Sequence, residues 1–190
     1  MKKALSLIIL ALLGLCQLGW ADEMKPRVRI ETNLGNITLE LDRKAAPKTV
    51  DNFLSYVGSG SYNGTIFHRV MKGFMIQAGG LTENMNKKPM QDPIVNEADN
   101  GLKNQKGTVA MARTGSPHSA TAQFFINTVN NTFLNHTGKS SKGWGYCVFG
   151  KVVKGMDVVK AIERVPTGTK SGRQNVPISP VTIKKVVVEP

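Results

Sequence analysis

The chain has 190 residues, 41% of them hydrophobic, which is enough for one domain with a real core and leaves no room for several. A formal net charge of +12 favours contact with acidic surfaces. The basic residues are spread along the chain, with no long run and no nucleic-acid motif, so a nucleic-acid partner is not expected.

Residues 1–21 read as a secretory signal peptide. Lys2 and Lys3 give a positive start, Ala4 to Cys16 is apolar apart from Ser6, and Gly19-Trp20-Ala21 offers small residues at a cleavage site. The apolar stretch is too short to span a bilayer comfortably, so stable membrane insertion is not expected. Leu15 stands where lipidation at Cys16 wants a small residue. Cleavage between Ala21 and Asp22 leaves residues 22–190 as one exported domain. The leader holds two of the 25 basic residues and none of the 13 acidic ones, so the remainder carries +10. Cys147 is then the only cysteine, which rules out an intrachain disulfide. Its setting, Tyr146-Cys147-Val148-Phe149, predicts a buried, inert thiol.

Two alternating runs, Val28 to Thr32 and Ile37 to Leu41, flank a turn and predict a β-hairpin. Pro47 stands at a favoured first helical position, and Val50, Phe53, Leu54 and Val57 form an apolar stripe, so a helix is expected from about Pro47 to Val57. Phe67 to Met71 reads as a strand with Phe67, Arg69 and Met71 on one face and His68 and Val70 on the other. That alternation makes His68 a satisfied core histidine. Lys72-Gly73 breaks the run, and Phe74 to Ala78 begins again. Residues 81–104 are polar loop. Gly107 to Ala112, Gln123 to Thr128, Cys147 to Val153 and Ile183 to Val188 read as further strands. The loops between them hold His118 and His136, expected to be solvated, and Trp144, either a surface contact or a plug. Val158, Ala161, Ile162 and Val165 mark a second helix between Gly155 and Pro166. About eight short strands and two widely separated helices do not alternate as βαβ units. A mainly β fold fits, a closed eight-stranded antiparallel barrel with a helix over each end.

Most catalytic devices are missing. The three histidines lack metal-site spacing, there is no cysteine cluster and no nucleophile elbow, so neither a metal nor another cofactor is expected. Gly58 to Gly64 resembles a phosphate loop only loosely and ends a helix where such a loop should begin one. What remains is Arg69, Gln77 and Gln123 among large apolar side chains. From pattern alone Arg69 reads equally as a cation at a sheet edge or as an arginine at the rim of an apolar pocket. Rotation about an X-Pro bond is a chemistry that needs neither nucleophile nor metal. Its barrier of ~18–20 kcal/mol is held up by amide resonance. A dry pocket can grip the proline ring, and a fixed guanidinium can stabilise the twisted amide over the planar one.

Three stretches carry a resemblance: Phe67-His68-Arg69-Val70 with Gly73-Phe74-Met75-Ile76-Gln77-Ala78-Gly79, then Met111-Ala112-Arg113-Thr114 with Gln123-Phe124-Phe125-Ile126-Asn127, then Phe149 to Val159. In this order they resemble the cyclophilins, peptidyl-prolyl cis/trans isomerases, from about Val28 to the C-terminus. With the leader and Asn96 to Leu102, the likeness is to bacterial periplasmic cyclophilins. The resemblance implies that Arg69, Phe74 and Gln77 are catalytic and that Phe74, Met75, Phe125 and Leu134 form the proline pocket. It implies that Ala112, Arg113, Thr114 and Gln123 line the groove for residues before the proline, with Phe133 and Tyr146 at its edge. Phe74 and Phe125 would then face outward from the barrel.

Phe133 stands where many eukaryotic relatives have a tryptophan, and Tyr146 where they have a histidine. That tryptophan gives cyclosporin a hydrogen bond in the family, so weak cyclosporin binding is expected with activity retained. The implied function is isomerisation of X-Pro bonds in proline-containing polypeptides during folding of exported proteins. The implied location is the periplasm, with secretion as second choice, and the implied state is a monomer. Two rival functions are a proline-peptide binding module or holdase, and a basic surface-adhering protein.

Overall fold

A computed structural model describes residues 24–190. The leader, its cleavage site and Cys16 lie outside the described residues.

Eight antiparallel strands form the main sheet. In chain order they are β1 (Arg27–Thr32), β2 (Gly35–Leu41), β3 (Arg69–Met71), β4 (Met75–Ala78), β5 (Thr108–Met111), β6 (Phe124–Asn127), β7 (Val148–Lys154) and, near the C-terminus, β10 (Ile183–Glu189). The order across the sheet is β10-β1-β2-β7-β5-β6-β4-β3. A separate hairpin, β8 (Thr167–Lys170) with β9 (Arg173–Pro177), precedes β10.

The closed barrel expected from the sequence is corrected to an open one. β10 and β3 are the two ends of the sheet, and no ladder joins them. The seam holds a single isolated bridge, Ile66 to Thr182, and a few backbone bonds such as Phe67 N–H to Val181 O at 2.9 Å. Two features stop the ladder. The chain approaches β10 through Pro177 and Pro180, which have no N–H to give. Strand β3 is only three residues long, and β9 lies alongside it.

Helix α1 (Pro47–Gly58) begins on its proline and buries Val50, Phe53, Tyr56 and Val57. Glu97, from the long 81–104 loop, accepts the first free N–H groups of α1, from Lys48 at 3.2 Å and Thr49 at 2.9 Å. That contact ties the loop to the domain. Helix α2 (Met156–Glu163) packs against β2, β3 and β4. Its buried residues are Val159 and Ile162, with Val158 and Val165 partly buried against the core, so of the expected stripe only Ala161 is exposed.

The core lies between the sheet and the helices. Phe53, Tyr62, Phe124 and Phe149 meet with ring centroids 5.1–5.5 Å apart, around the inward residues of every strand of the main sheet. Cys147 is buried beside Thr49, and burial pushes its thiol up to about 12, the inert state expected. A second apolar cluster of Met75, Ala110, Phe125, Leu134 and Val148 forms on the outer face of the sheet.

Candidate active site

Strand register builds the outer face. Arg69 pairs with Gln77, Gln77 with Phe125, and Phe125 with Ala110, so these four form one row across β3, β4, β6 and β5. The next row, Val70, Ile76, Ile126 and Val109, lies wholly in the core. Since side chains alternate along a strand, burying the second row obliges the first to face outward. Phe125 faces away from the core as expected, and so does the partly buried Phe74, which sits in the turn before β4.

A groove of about 260 Å³ opens over that row. Arg69, Phe74, Met75, Gln77, Ala112, Arg113, Gln123, Phe125, Leu134 and Tyr146 line it, which brings together ten of the twelve residues expected there. The guanidinium of Arg69 donates to Oε1 of Gln77 at 3.4 Å, and Nε2 of Gln77 donates to Oε1 of Gln123 at 2.9 Å. Arg69 also stands 6.0 Å from the centre of the Phe74 ring. A half-buried cation is thus held beside an apolar floor by neutral amides, with no carboxylate to neutralise it. Arg113 lies 4.7 Å over the Tyr146 ring and donates to the carbonyls of Gly145, Thr114 and Ser141.

Thr114 and Phe133 lie outside the lining. Thr114 is exposed and bonded to Ser119 at 2.8 Å. Phe133 is 73% exposed and stacks on Phe74 with centroids 5.6 Å apart, so it extends the rim of the groove.

Three lining residues escaped the sequence reading: His68, Arg173 and Gln174. His68 is buried, but it is only partly satisfied and is not on the far side from Arg69. The strand starts only at Arg69, so alternation does not extend back to Phe67, which joins Val70 in the core. His68 shares the groove with Arg69, and its Nδ1 has no hydrogen-bond partner among the described residues. The other two histidines are not merely solvated. Asn96 N–H donates to Nδ1 of His118, and both His118 and His136 pack edge-on against Trp144. Trp144 itself donates to Asn96 O at 3.1 Å and packs against the core, so it acts as a plug.

Three buried asparagines support the groove from below. Asn131 donates to the Phe74 carbonyl at 2.9 Å and to Oδ1 of Asn127 at 2.7 Å. Asn127 donates to Oδ1 of Asn104 at 3.1 Å. Asn104 donates to the carbonyls of Leu134 and Tyr146, both at 3.2 Å. One network therefore fixes the backbone of three groove residues. Among the described residues no cluster of His, Cys, Asp or Glu is placed to hold a metal.

The model of the cyclophilin type peptidyl-prolyl cis-trans isomerase family matches residues 27–188. A peptidyl-prolyl cis-trans isomerase of Streptomyces antibioticus is 59% identical over 85% of this chain and 97% of its own length. Peptidyl-prolyl cis-trans isomerase B of Escherichia coli is 56% identical over 85% of this chain and 98% of its own. Among solved structures, a cyclophilin type isomerase of Cryptosporidium parvum superposes with a TM-score of 0.71 at 30% identity, covering 87% of this chain and 98% of that one. The same Cryptosporidium protein, crystallised in the presence of the dipeptide Ala-Pro, gives a TM-score of 0.70. The outward row of Arg69, Gln77 and Phe125 and these matches along nearly the whole described chain lead to one conclusion: the chain belongs to the cyclophilin-type peptidyl-prolyl cis-trans isomerases, enzymes that act on X-Pro bonds.

Proposed function

We propose that the groove turns X-Pro bonds by gripping the proline ring against Phe74, Met75, Phe125 and Leu134 while Arg69 stabilises the twisted amide. The observation that carries this reading is the unneutralised guanidinium of Arg69 beside an apolar floor, held by Gln77. In a planar amide the nitrogen lone pair is delocalised into the carbonyl. Rotation localises it on nitrogen, where an N–H donor meets it more strongly than in the ground state. The guanidinium has donors enough to meet both that nitrogen and the prolyl carbonyl. A barrier lowered by about 8 kcal/mol corresponds to roughly a millionfold acceleration. Gln77 positions Arg69 and meets the substrate backbone. Ala112, Arg113, Thr114 and Gln123 take residues before the proline, and Phe133 and Tyr146 border the groove. No cofactor takes part in such a rotation.

For the biological setting we propose, on the leader sequence, a cleaved signal peptide, residence in the periplasm, and action on exported polypeptides during folding. The groove is complete within one chain, which supports a working monomer. The reading is tested by NMR exchange spectroscopy on a short Ala-Pro peptide with a small fraction of enzyme. Cis and trans resonances that are in slow exchange alone should exchange rapidly with the protein present. Unchanged exchange with a folded protein would contradict it. N-terminal sequencing of the chain isolated from the periplasmic fraction should begin at Asp22.

A further inference from the structure

The groove has a wall that the isomerase reading leaves unused. The β8–β9 hairpin turns on Ser171-Gly172, both with positive φ, 51° and 74°. This is the backbone of a tight turn matched to strand twist, and it pairs Lys170 with Arg173. Because β9 lies alongside β3, Arg173 and Gln174 reach the groove on the side of Arg69 away from Gln77.

The charge there is one-sided. The lining contains Arg69, Arg113 and Arg173, and no Asp or Glu. Arg113 is engaged by four carbonyls and Arg69 by Gln77. Arg173 is exposed, and the ion pairs among the described residues are made by other cations: Arg27, Arg29, Arg43, Lys139 and Lys151. Next to it, His68 is 5% exposed with Nδ1 unpaired. Burial, reinforced by the charges of Arg173 and Arg69, pushes this imidazole down to about 4, so it is neutral near pH 7. An uncharged ring is left beside a guanidinium that has no carboxylate partner among the described residues.

We propose that Arg173, with Gln174, forms a subsite for an acidic side chain that follows the proline in the polypeptide. This rests on the direction proposed above, in which residues before the proline run toward Ala112 and Arg113. The chain after the proline then leaves past Arg69 toward β9. A guanidinium fork matches a carboxylate geometrically, and the Gln174 amide adds a donor to the same anion.

The test is the catalysed rate, as kcat/KM, for three peptides that differ only in Glu, Gln or Lys after the proline, at low ionic strength. Glu over Lys by roughly two- to fivefold is expected, the range of an exposed ion pair. The preference should collapse at about 0.5 M salt, where screening is nearly complete. It should vanish in Arg173→Gln and reverse in Arg173→Glu. Lys103→Glu, in a separate cleft with Lys25 and Glu40, makes the same change in net charge and should keep the preference. Equal rates in the wild type, or a preference that survives Arg173→Gln, would overturn the subsite. A preference for Glu before the proline, removed by Arg173→Gln, would overturn its direction. Acceleration of none of the peptides would instead bring down the isomerase reading.

Discussion

His68 makes the groove sensitive to acid through stability. Its imidazole is pushed from the ordinary 6.5 down to about 4, chiefly by burial. Between those values the unfolded chain binds a proton that the native chain does not. Its contribution is therefore complete above pH 6.5 and is lost as pH falls toward 4. At pH 5 the loss amounts to about 2 kcal/mol. Urea unfolding at pH 7 and pH 5 measures it, and His68→Gln should flatten the difference. Phe133 carries the second expectation at this scale. Stacked on Phe74 and exposed, it offers a ring without an N–H. Cyclosporin should inhibit weakly, in the micromolar range, and Phe133→Trp should tighten inhibition roughly tenfold, the worth of about one hydrogen bond. Nanomolar inhibition of the wild type would contradict this. The shared faces of Arg69, Gln77 and Phe125 within their strands were legible in short alternating runs, and their roles only through the resemblance to the family. His68 was not, since one irregular residue before β3 was enough to turn it onto the other face.

Between elements, what holds the groove is a set of amides that sequence patterns do not display. Asn104, Asn127 and Asn131 look like loop or strand-end residues, yet they are 0–2% exposed and bind one another across separations of 4 and 23 residues. Their value lies in partners that only the fold brings near. Asn131→Ala leaves Oδ1 of Asn127 without its donor and the Phe74 carbonyl with only the Thr128 N–H. The expected loss is about 1–3 kcal/mol in urea unfolding, with a raised KM because Phe74 is no longer fixed. Unchanged stability and KM would show the network to be dispensable. The β8–β9 hairpin was hidden for a different reason. Thr-Gly-Thr-Lys and Arg-Gln-Asn-Val lack the apolar alternation of a half-buried strand, and the positive φ of Asn175 interrupts the second. The hairpin lies beside β3 where a closing strand was expected, which is also why the barrel stays open.

For the whole molecule, the hydrophobic periodicity was enough to predict eight strands of one sheet and two helices, because burial of one face fixes a strand's register and one stripe fixes a helix. Closure was not legible. It depends on how the two end strands meet, and that is set by prolines and by a hairpin far along the chain. The same architecture leaves the catalytic row on the outside of the sheet, where a polypeptide in the course of folding can reach it without entering an interior. The account stands on the claim that this outer row, through Arg69, turns the prolyl bond. The direct measurement is the cis-to-trans rate of an X-Pro peptide at low temperature, with wild type and Arg69→Ala compared at equal concentration and both shown to be folded by circular dichroism. Strong acceleration by the wild type, reduced at least a hundredfold or so in the variant, is the predicted result. Equal rates from the two folded proteins would contradict it, and a wild type that binds the peptide without accelerating it would make the groove a binding module.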